Sequence, residues 1–368
     1  MKSTKRSRGW LAAIAAVALL AVGVQTEAQA QAKTETKKLT FIIAAPTDSV
    51  GQAPYYIAEK LGYWKQEGVE VKHVTAAGAT TALQLVLAKQ AEVTCCGVSS
   101  AYALAANGKN QNLRLILLYQ KNLFSLFVPE GSPIKSVADL KGKKIGIQAA
   151  GSSSALFAYA IVAAAGLDPK KDVTFLPVGV AGQAAIALQN KQIDVVSSYL
   201  GAIGLISQIS GMPFHPLPSP VDKLNATASW FTTTEVIKEQ SDALIGYMRG
   251  LYKAYIFAAV NPEATVINFW NQFPSHEPKN SKSRAENARL MAEATAPLWY
   301  AVLAPENLKA FGTLPAEEIQ ATADFMAKHN IIESPVKTAP LVDVSLVEKA
   351  VQGVDIDAII AQAKAWKP

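Results

Sequence analysis

The sequence predicts an α/β protein of two similar lobes, each a mainly parallel sheet flanked by helices, joined by a two-segment hinge. Two observations carry this. Apolar strand-like runs alternate with helical stripes from Lys38 onward, the order that builds parallel sheets covered on both faces. The order then restarts. KKIGIQAA at 143–150 echoes KLTFIIAA at 38–45, offset by 105 residues, and KQIDVVSSYLGA at 191–202 echoes KQAEVTCCGVSS at 89–100, offset by 102. Between these echoes, VTFLPVGVAGQ at 173–183 corresponds to VEVKHVTAAGAT at 69–80.

The elements follow in order. Leu39 to Ala45 is an apolar strand ended by Pro46. The polar turn TDSVGQ leads into a helix, PYYIAEKLGYWKQEG, with Pro54 suited to its first turn and Gly68 to its stop. Val69 to Val74 alternates apolar and polar as a half-buried strand does. Gly78-Ala79-Thr80 opens a helix to Lys89, AEVTCCGVSS reads as strand then turn, and a helix runs from about Ala101 to Ala106. Arg114 to Gln120 is a further strand. In the second half, Ile145-Gly146-Ile147 suits a short buried strand, Gly151 a turn, and Ser152-Ser153-Ser154 lead into the helix ALFAYAIVAAAG. PFHPLPSP, after Met212, reads as an extended proline-rich linker. ASWFTTTEVI then reads as a strand, and the chain from about Ser241 as mostly helix. The simplest topology crosses between lobes twice, near 121–127 and 224–230. Lobe one is then 38–122 plus 228–368, with a helical C-terminal tail, and lobe two is 123–227. Two such linkers make a hinge.

Residues 1–30 read as a cleaved secretory signal peptide. Lys2, Lys5, Arg6 and Arg8 precede the apolar run Trp10 to Val24, too short for a membrane span, and Ala28-Gln29-Ala30 supplies the small-x-small cleavage pattern. The expected location is the periplasm. Removing that segment takes four basic residues and one Glu from totals of 35 and 29, leaving 31 against 28. A balance so even excludes a nucleic-acid footprint. Cys95 and Cys96 are adjacent, which permits only a strained ring, so two buried thiols are expected.

Nothing in the chain has the pattern of a catalytic site. His73, His215, His276 and His329 are scattered, so no metal site is expected, and no nucleophile elbow or phosphate-binding glycine motif occurs, so no cofactor is expected. The positive signal lies in helix starts. Five helices begin after strand ends or glycine turns, near Gly51, Gly78, Ser99, Ser152 and Gly182, without Asp or Glu in the first turn. They carry Gln52, Thr80, Thr81, Ser99, Ser100, the three serines and Gln183. Helices elsewhere start with acids, the usual complement to the helix dipole. In open α/β sheets the ligand lies beyond the carboxyl ends of the strands. Helices that lack their own negative charge there imply that an anionic ligand brings it. The conservative reading of the serines is an ordinary N-cap. Asp48 opposes an anion, or binds a ligand amino group. Among nearby aromatics, Tyr55, Tyr119, Tyr199 and Trp230 are candidates to hold an apolar or aromatic ligand body.

AEKLGYWKQEGVEV at 58–71, KQAEVTCCGVSSA, SPIKSVADLKGKKIGI at 132–147 followed by GSSS, AAGLDPKKDV at 164–173 and LQNKQIDVV at 188–196 together resemble the periplasmic solute-binding proteins of nitrate, sulfonate and taurine ABC importers. That class shares a domain with thiamine-pyrimidine synthesis proteins. The resemblance implies a type II periplasmic binding protein fold, a monomer that closes on a small solute and delivers it to an ABC permease and ATPase complex. It implies ligand contacts at Thr47, Asp48, Ser49 and Gln52, at Ala79 and Thr80, at Cys96 and Ser99, at Ser152, Ser153 and Ser154, at Gln183 and near Tyr199. The solute expected is a sulfonate or carboxylate, with nitrate or a pyrimidine-type vitamin precursor as the alternative. An enzyme of the pyrimidine-synthesis type and a periplasmic sensor are the remaining readings. Cys95-Cys96 and Tyr199 depart from the small or hydroxyl residues and the Trp common in that class, so the ligand does not transfer.

Overall fold

The structure, a computed structural model, describes residues 36–109 and 112–367, so the signal-peptide expectation lies outside the described residues. The first part of the chain forms β1 (Lys37–Ile43), α1 (Ala53–Lys60), α2 (Tyr63–Gln66), β2 (Val69–Thr75), α3 (Ala79–Leu87), β3 (Val93–Gly97), α4 (Val98–Ala106) and β4 (Leu113–Leu118). The second forms β5 (Phe124–Pro129), β6 (Lys144–Ile147), α5 (Ser153–Ala164), β7 (Thr174–Pro177), α6 (Ala181–Gln189), β8 (Val195–Tyr199), α7 (Ala202–Ser210) and β9 (Phe214–Pro216). The chain then forms β10 (Ala228–Thr233), α8 (Thr234–Glu239), α9 (Ser241–Val260), α10 (Pro262–Gln272), α11 (Arg284–Tyr300), α12 (Ala316–Lys328), α13 (Val347–Val351) and α14 (Ile356–Ala365).

Two five-stranded sheets result, ordered β2-β1-β3-β10-β4 and β7-β6-β8-β5-β9. Both follow one plan. Three strands run parallel, a fourth lies antiparallel to them, and the fifth pairs antiparallel with the fourth. In each sheet the reversed strand, β10 or β5, is the one that arrives directly from the other sheet. The repeat also survives in backbone detail. Lys89 and Lys191, 102 positions apart, both take positive φ (59° and 54°) where α3 and α6 stop. Gln90 N–H reaches the Leu85 carbonyl and Gln192 N–H reaches that of Ala187. Each is a helix end closed by a left-handed residue, here at the strain of a Cβ.

Three elements differ from the sequence reading. The helix expected over 54–67 is broken at Gly62, whose φ of +70° ends one helix and starts the next. PFHPLPSP is not all linker: Phe214–Pro216 pairs with Phe127–Pro129, covering an edge of β5 that would otherwise leave backbone groups unpaired. The strand in ASWFTTTEVI stops at Thr233, because its hydroxyl accepts from Val236 N–H (3.3 Å) and caps α8.

The two connections between sheets lie side by side. Tyr119 N–H donates to the Ala228 carbonyl and Ala226 N–H to that of Tyr119 (both 3.1 Å), while Leu123 N–H donates to Thr227 Oγ1 (3.0 Å). The C-terminal helices pack on the first sheet around α9, most of whose residues are buried. Among the described residues no helix is long and apolar enough to cross a membrane.

Candidate functional site

Strands β1, β3, β6 and β8 all end toward one cavity of about 110 Å³. Its wall takes Ile43, Ala44 and Ala45 from the end of β1, Cys95, Cys96 and Gly97 from β3, Gln148 from just beyond β6, and Tyr199 from β8. Residues of both sheets therefore face each other across it, at the carboxyl ends where the sequence placed a ligand.

Helix starts converge on the same space. Gly51 and Gln52 belong to a 3-10 turn (Val50–Gln52) ahead of α1, Ala79 begins α3, Gly97 caps α4, and Ser152 to Ser154 begin α5. None of these helices has an acid in its first turn, and neither do α6 and α7. In contrast, α8 through α14 each carry one there. Among the described residues the wall holds no Lys, Arg, His, Asp or Glu.

The serine hydroxyls turn out to be committed to protein partners. Ser152 Oγ donates to the Ala149 carbonyl (2.7 Å) and accepts from Ala155 N–H, a true N-cap. Ser154 Oγ lies 3.1 Å from Ser152 Oγ. Ser153 Oγ reaches across to the first sheet, donating to the Gly97 carbonyl (3.1 Å) and lying 3.3 Å from Ser100 Oγ. The Ser153 and Ser154 N–H groups find no acceptor among the described residues. The free donors of this turn are backbone amides, as the helix-start argument requires, and the side chains position them.

Aromatic and sulfur groups form the opposite wall. Tyr55, Cys95 and Tyr119 line it, with Cys95 Sγ 3.8 Å from Tyr119 Oη, and Tyr255 lies behind them, edge-on to Trp230 at 6.1 Å. Burial raises all three tyrosines and pushes the Cys95 thiol up to about 12. Cys96 is also raised by burial, and both thiols are free. Burial therefore favours the neutral, protonated form of each of these groups.

Of the residues singled out in the sequence, Gln52, Tyr55, Ala79, Cys96, Tyr119, Ser152, Ser153, Ser154 and Tyr199 share this cavity. Thr47, Asp48 and Ser49 line a larger groove outside it. Asp48 accepts a hydrogen bond from Tyr56. The remaining four line neither space. Thr80 Oγ1 bonds the Gly151 carbonyl (3.0 Å) between the lobes, and Ser99 Oγ lies 3.5 Å from the Ser153 carbonyl. Gln183 folds against Gly179. Trp230 is fully buried behind the wall, stacked on Tyr119 at 5.1 Å, with no hydrogen-bond partner for its Nε1 among the described residues. Sequence reasoning did not include Gln148, Phe124 or Leu298. Gln148 directly follows a strand and was findable. Leu298 comes from α11, which the neighbouring Trp299 ties to the site by donating to the Gly51 carbonyl (3.0 Å); no local pattern signals it.

Two sheets of one topology, facing each other across a cavity at their carboxyl ends, are the architecture of the two-lobe periplasmic binding protein fold. The profile of the NMT1/THI5-like family matches residues 50–265, more than half of the sequence, and the chain belongs to that family. A solved structure of the alkanesulfonate-binding protein SsuA of Xanthomonas axonopodis pv. citri, bound to MOPS, superposes with a TM-score of 0.64 at 17% identity, over 84% of this chain and 99% of that one. The desulfurization enzyme DszB superposes at 0.52 and 14% identity, over 86% and 99%. One fold therefore serves binding and catalysis. Among curated proteins, the riboflavin-binding protein RibY of Chloroflexus aurantiacus is 25% identical over 215 residues, 57% of this chain. The match spans 60% of that relative's length.

Proposed function

We propose that this chain is the solute-binding component of an importer, exported to the periplasm, whose lobes close on a small organic acid and present it to a membrane permease. The observation that carries this reading is the inner cavity. Four acid-free helix starts from both lobes meet there, and among the described residues no cationic side chain lines it. An anionic head facing these starts is stabilised by several helix termini, each contributing about 0.3–1 kcal/mol in ordinary settings. Tyr55, Tyr119 and Phe124 suit an apolar or aromatic body beside it. Closure follows if the solute touches both lobes, because only a ligand with higher affinity for the closed state shifts the equilibrium.

The named relatives support a binding role: sulfonates for SsuA and riboflavin for RibY are solutes of their own proteins. The enzymatic reading, which DszB keeps open as a fold, is less well supported. Burial favours the protonated form of the cavity thiols, and among the described residues no histidine lines the wall.

The test is a thermal-shift screen of residues 31–368, followed by calorimetry, against sulfonates, aromatic carboxylates, nitrate, aminopyrimidines and riboflavin. A hundredfold excess over Kd adds about 2.7 kcal/mol of apparent stability. Stabilisation by acids supports the proposal. Stabilisation only by neutral or cationic compounds removes the anion from it.

A further inference from the structure

Two spaces of different size meet at Tyr199. The inner cavity, about 110 Å³, and an outer groove, about 830 Å³, have Ala45 and Tyr199 as common wall residues. A 150 Å³ apolar cavity holds one benzene, so the inner space suits a single ring or a smaller head group. Sites for larger ligands run about 300–1,000 Å³, the range of the groove.

The groove belongs to the same cleft. The turn at 47–50 forms its wall on one side, and the starts of α6 and α7 on the other. Tyr199, at the end of β8, lines the groove and the inner cavity alike. Of the charged residues on the groove wall, Lys279 alone has no protein partner among the described residues, and His276 packs against Phe269 and Phe273. Asp48 is held by Tyr56, Glu277 by Arg284 (3.1 Å), and Lys282 lies 3.4 Å from Glu286. Hydroxyls and amides such as Thr47, Gln208 and Ser275 remain, beside Ile209, a large apolar side chain left 47% exposed.

We propose that the solute has two parts: a head of ring size or less in the inner cavity, and an uncharged, hydrogen-bonding tail that passes Tyr199 into the outer groove. This rests on the binding reading above. A groove lined by hydroxyls and amides recognises such a tail by hydrogen bonds, and Ile209 covers its methylene edges. Confinement of the head also explains why Tyr199, rather than a smaller residue, stands where the two spaces join.

Two pairs of probes test it by calorimetry on residues 31–368. One is benzoate and its para triethylene-glycol ether; the other is ethanesulfonate and its triethylene-glycol-extended analogue. The extended member of a pair is expected to bind at least tenfold tighter than its short partner. Ile209→Trp fills the groove from an exposed position and is expected to remove most of that gain, with less than a twofold change for the short probe. Equal affinities within each pair, or equal weakening of both members by Ile209→Trp, overturn the tail site while leaving the binding reading intact. No binding by any of the four probes, together with no stabilisation by any compound of the screen, overturns the binding reading and this inference with it.

Discussion

Ser153 Oγ donates to the Gly97 carbonyl at 3.1 Å, joining the first turn of α5 to the end of β3 in the facing lobe. The approach depends on the missing side chain. A Cβ on Gly97 would lie 2.5 Å from Ser153 Oγ and 2.9 Å from the Phe124 ring. Gly97 itself has an ordinary extended conformation, φ −65° and ψ 141°, which alanine also adopts. Gly97→Ala is therefore expected to fold with an unchanged melting temperature in the absence of solute and to close poorly. Affinity for the best compound of the acid panel should fall at least tenfold, and small-angle scattering should show no compaction when it is added.

Ser153→Asp is a harsher version of the same test. The carboxylate would face the Gly97 carbonyl oxygen across the lobe contact and stand beside the free amides of α5. We expect loss of acid binding by calorimetry, with a circular dichroism spectrum like that of the parent. Undiminished affinity would remove this turn from the site.

A second approach lies on the other flank. A Cβ on Gly204, within α7, would come 3.0 Å from the Ala294 carbonyl oxygen of α11. Gly204→Val gains about 0.5 kcal/mol of helix propensity yet separates the two helices. The expected result is a melting temperature unchanged or higher without solute, combined with at least fivefold weaker binding.

Cys95 and Cys96 should be silent to thiol reagents. With Cys95 at about 12, its thiolate fraction at pH 8 is on the order of 10⁻⁴, and Cys96 is raised as well. Ellman's reagent is expected to find no fast-reacting thiol in the native protein and two per chain after denaturation. Fast labelling of the native state would show that the cavity wall opens freely.

His73 gives the fold an acid sensitivity. It sits among Phe41, Tyr56 and Trp64, and burial lowers it to about 4 against an opposing pull from Asp48. The unfolded chain takes up a proton near 6.5 that the folded chain refuses until near 4. Stability from this residue is therefore complete above 6.5 and declines as pH falls toward 4, by about 1.4 kcal/mol per unit. Melting curves from pH 7 to 4 should show that decline, and His73→Phe should flatten it.

Much of this architecture was legible because the chain states it twice. Equal spacing at Lys89 and Lys191, and the matching ends of β3 and β8, reflect one local pattern that each half folds by itself. The acid-free helix starts were legible for a similar reason: the dipole of a helix end acts on residues within one turn of it. PFHPLPSP was misread because its strand, Phe214–Pro216, exists only by pairing with β5, far away in sequence. Leu298 and Trp299 were invisible for the same reason, since α11 reaches the site only after the chain has returned to the first lobe.

Local periodicity and helix-end chemistry, both written in the sequence, determined two α/β halves and the turns that face their cleft. Only the tertiary structure decided the task of each side chain there. It set the Ser153 hydroxyl against Gly97 instead of the cavity, placed Trp230 behind Tyr119, and divided the cleft at Tyr199. Those assignments depend on which surfaces of two distant segments come within a few ångströms of each other. Close packing settles that for the whole molecule at once, and no run of neighbouring residues encodes it.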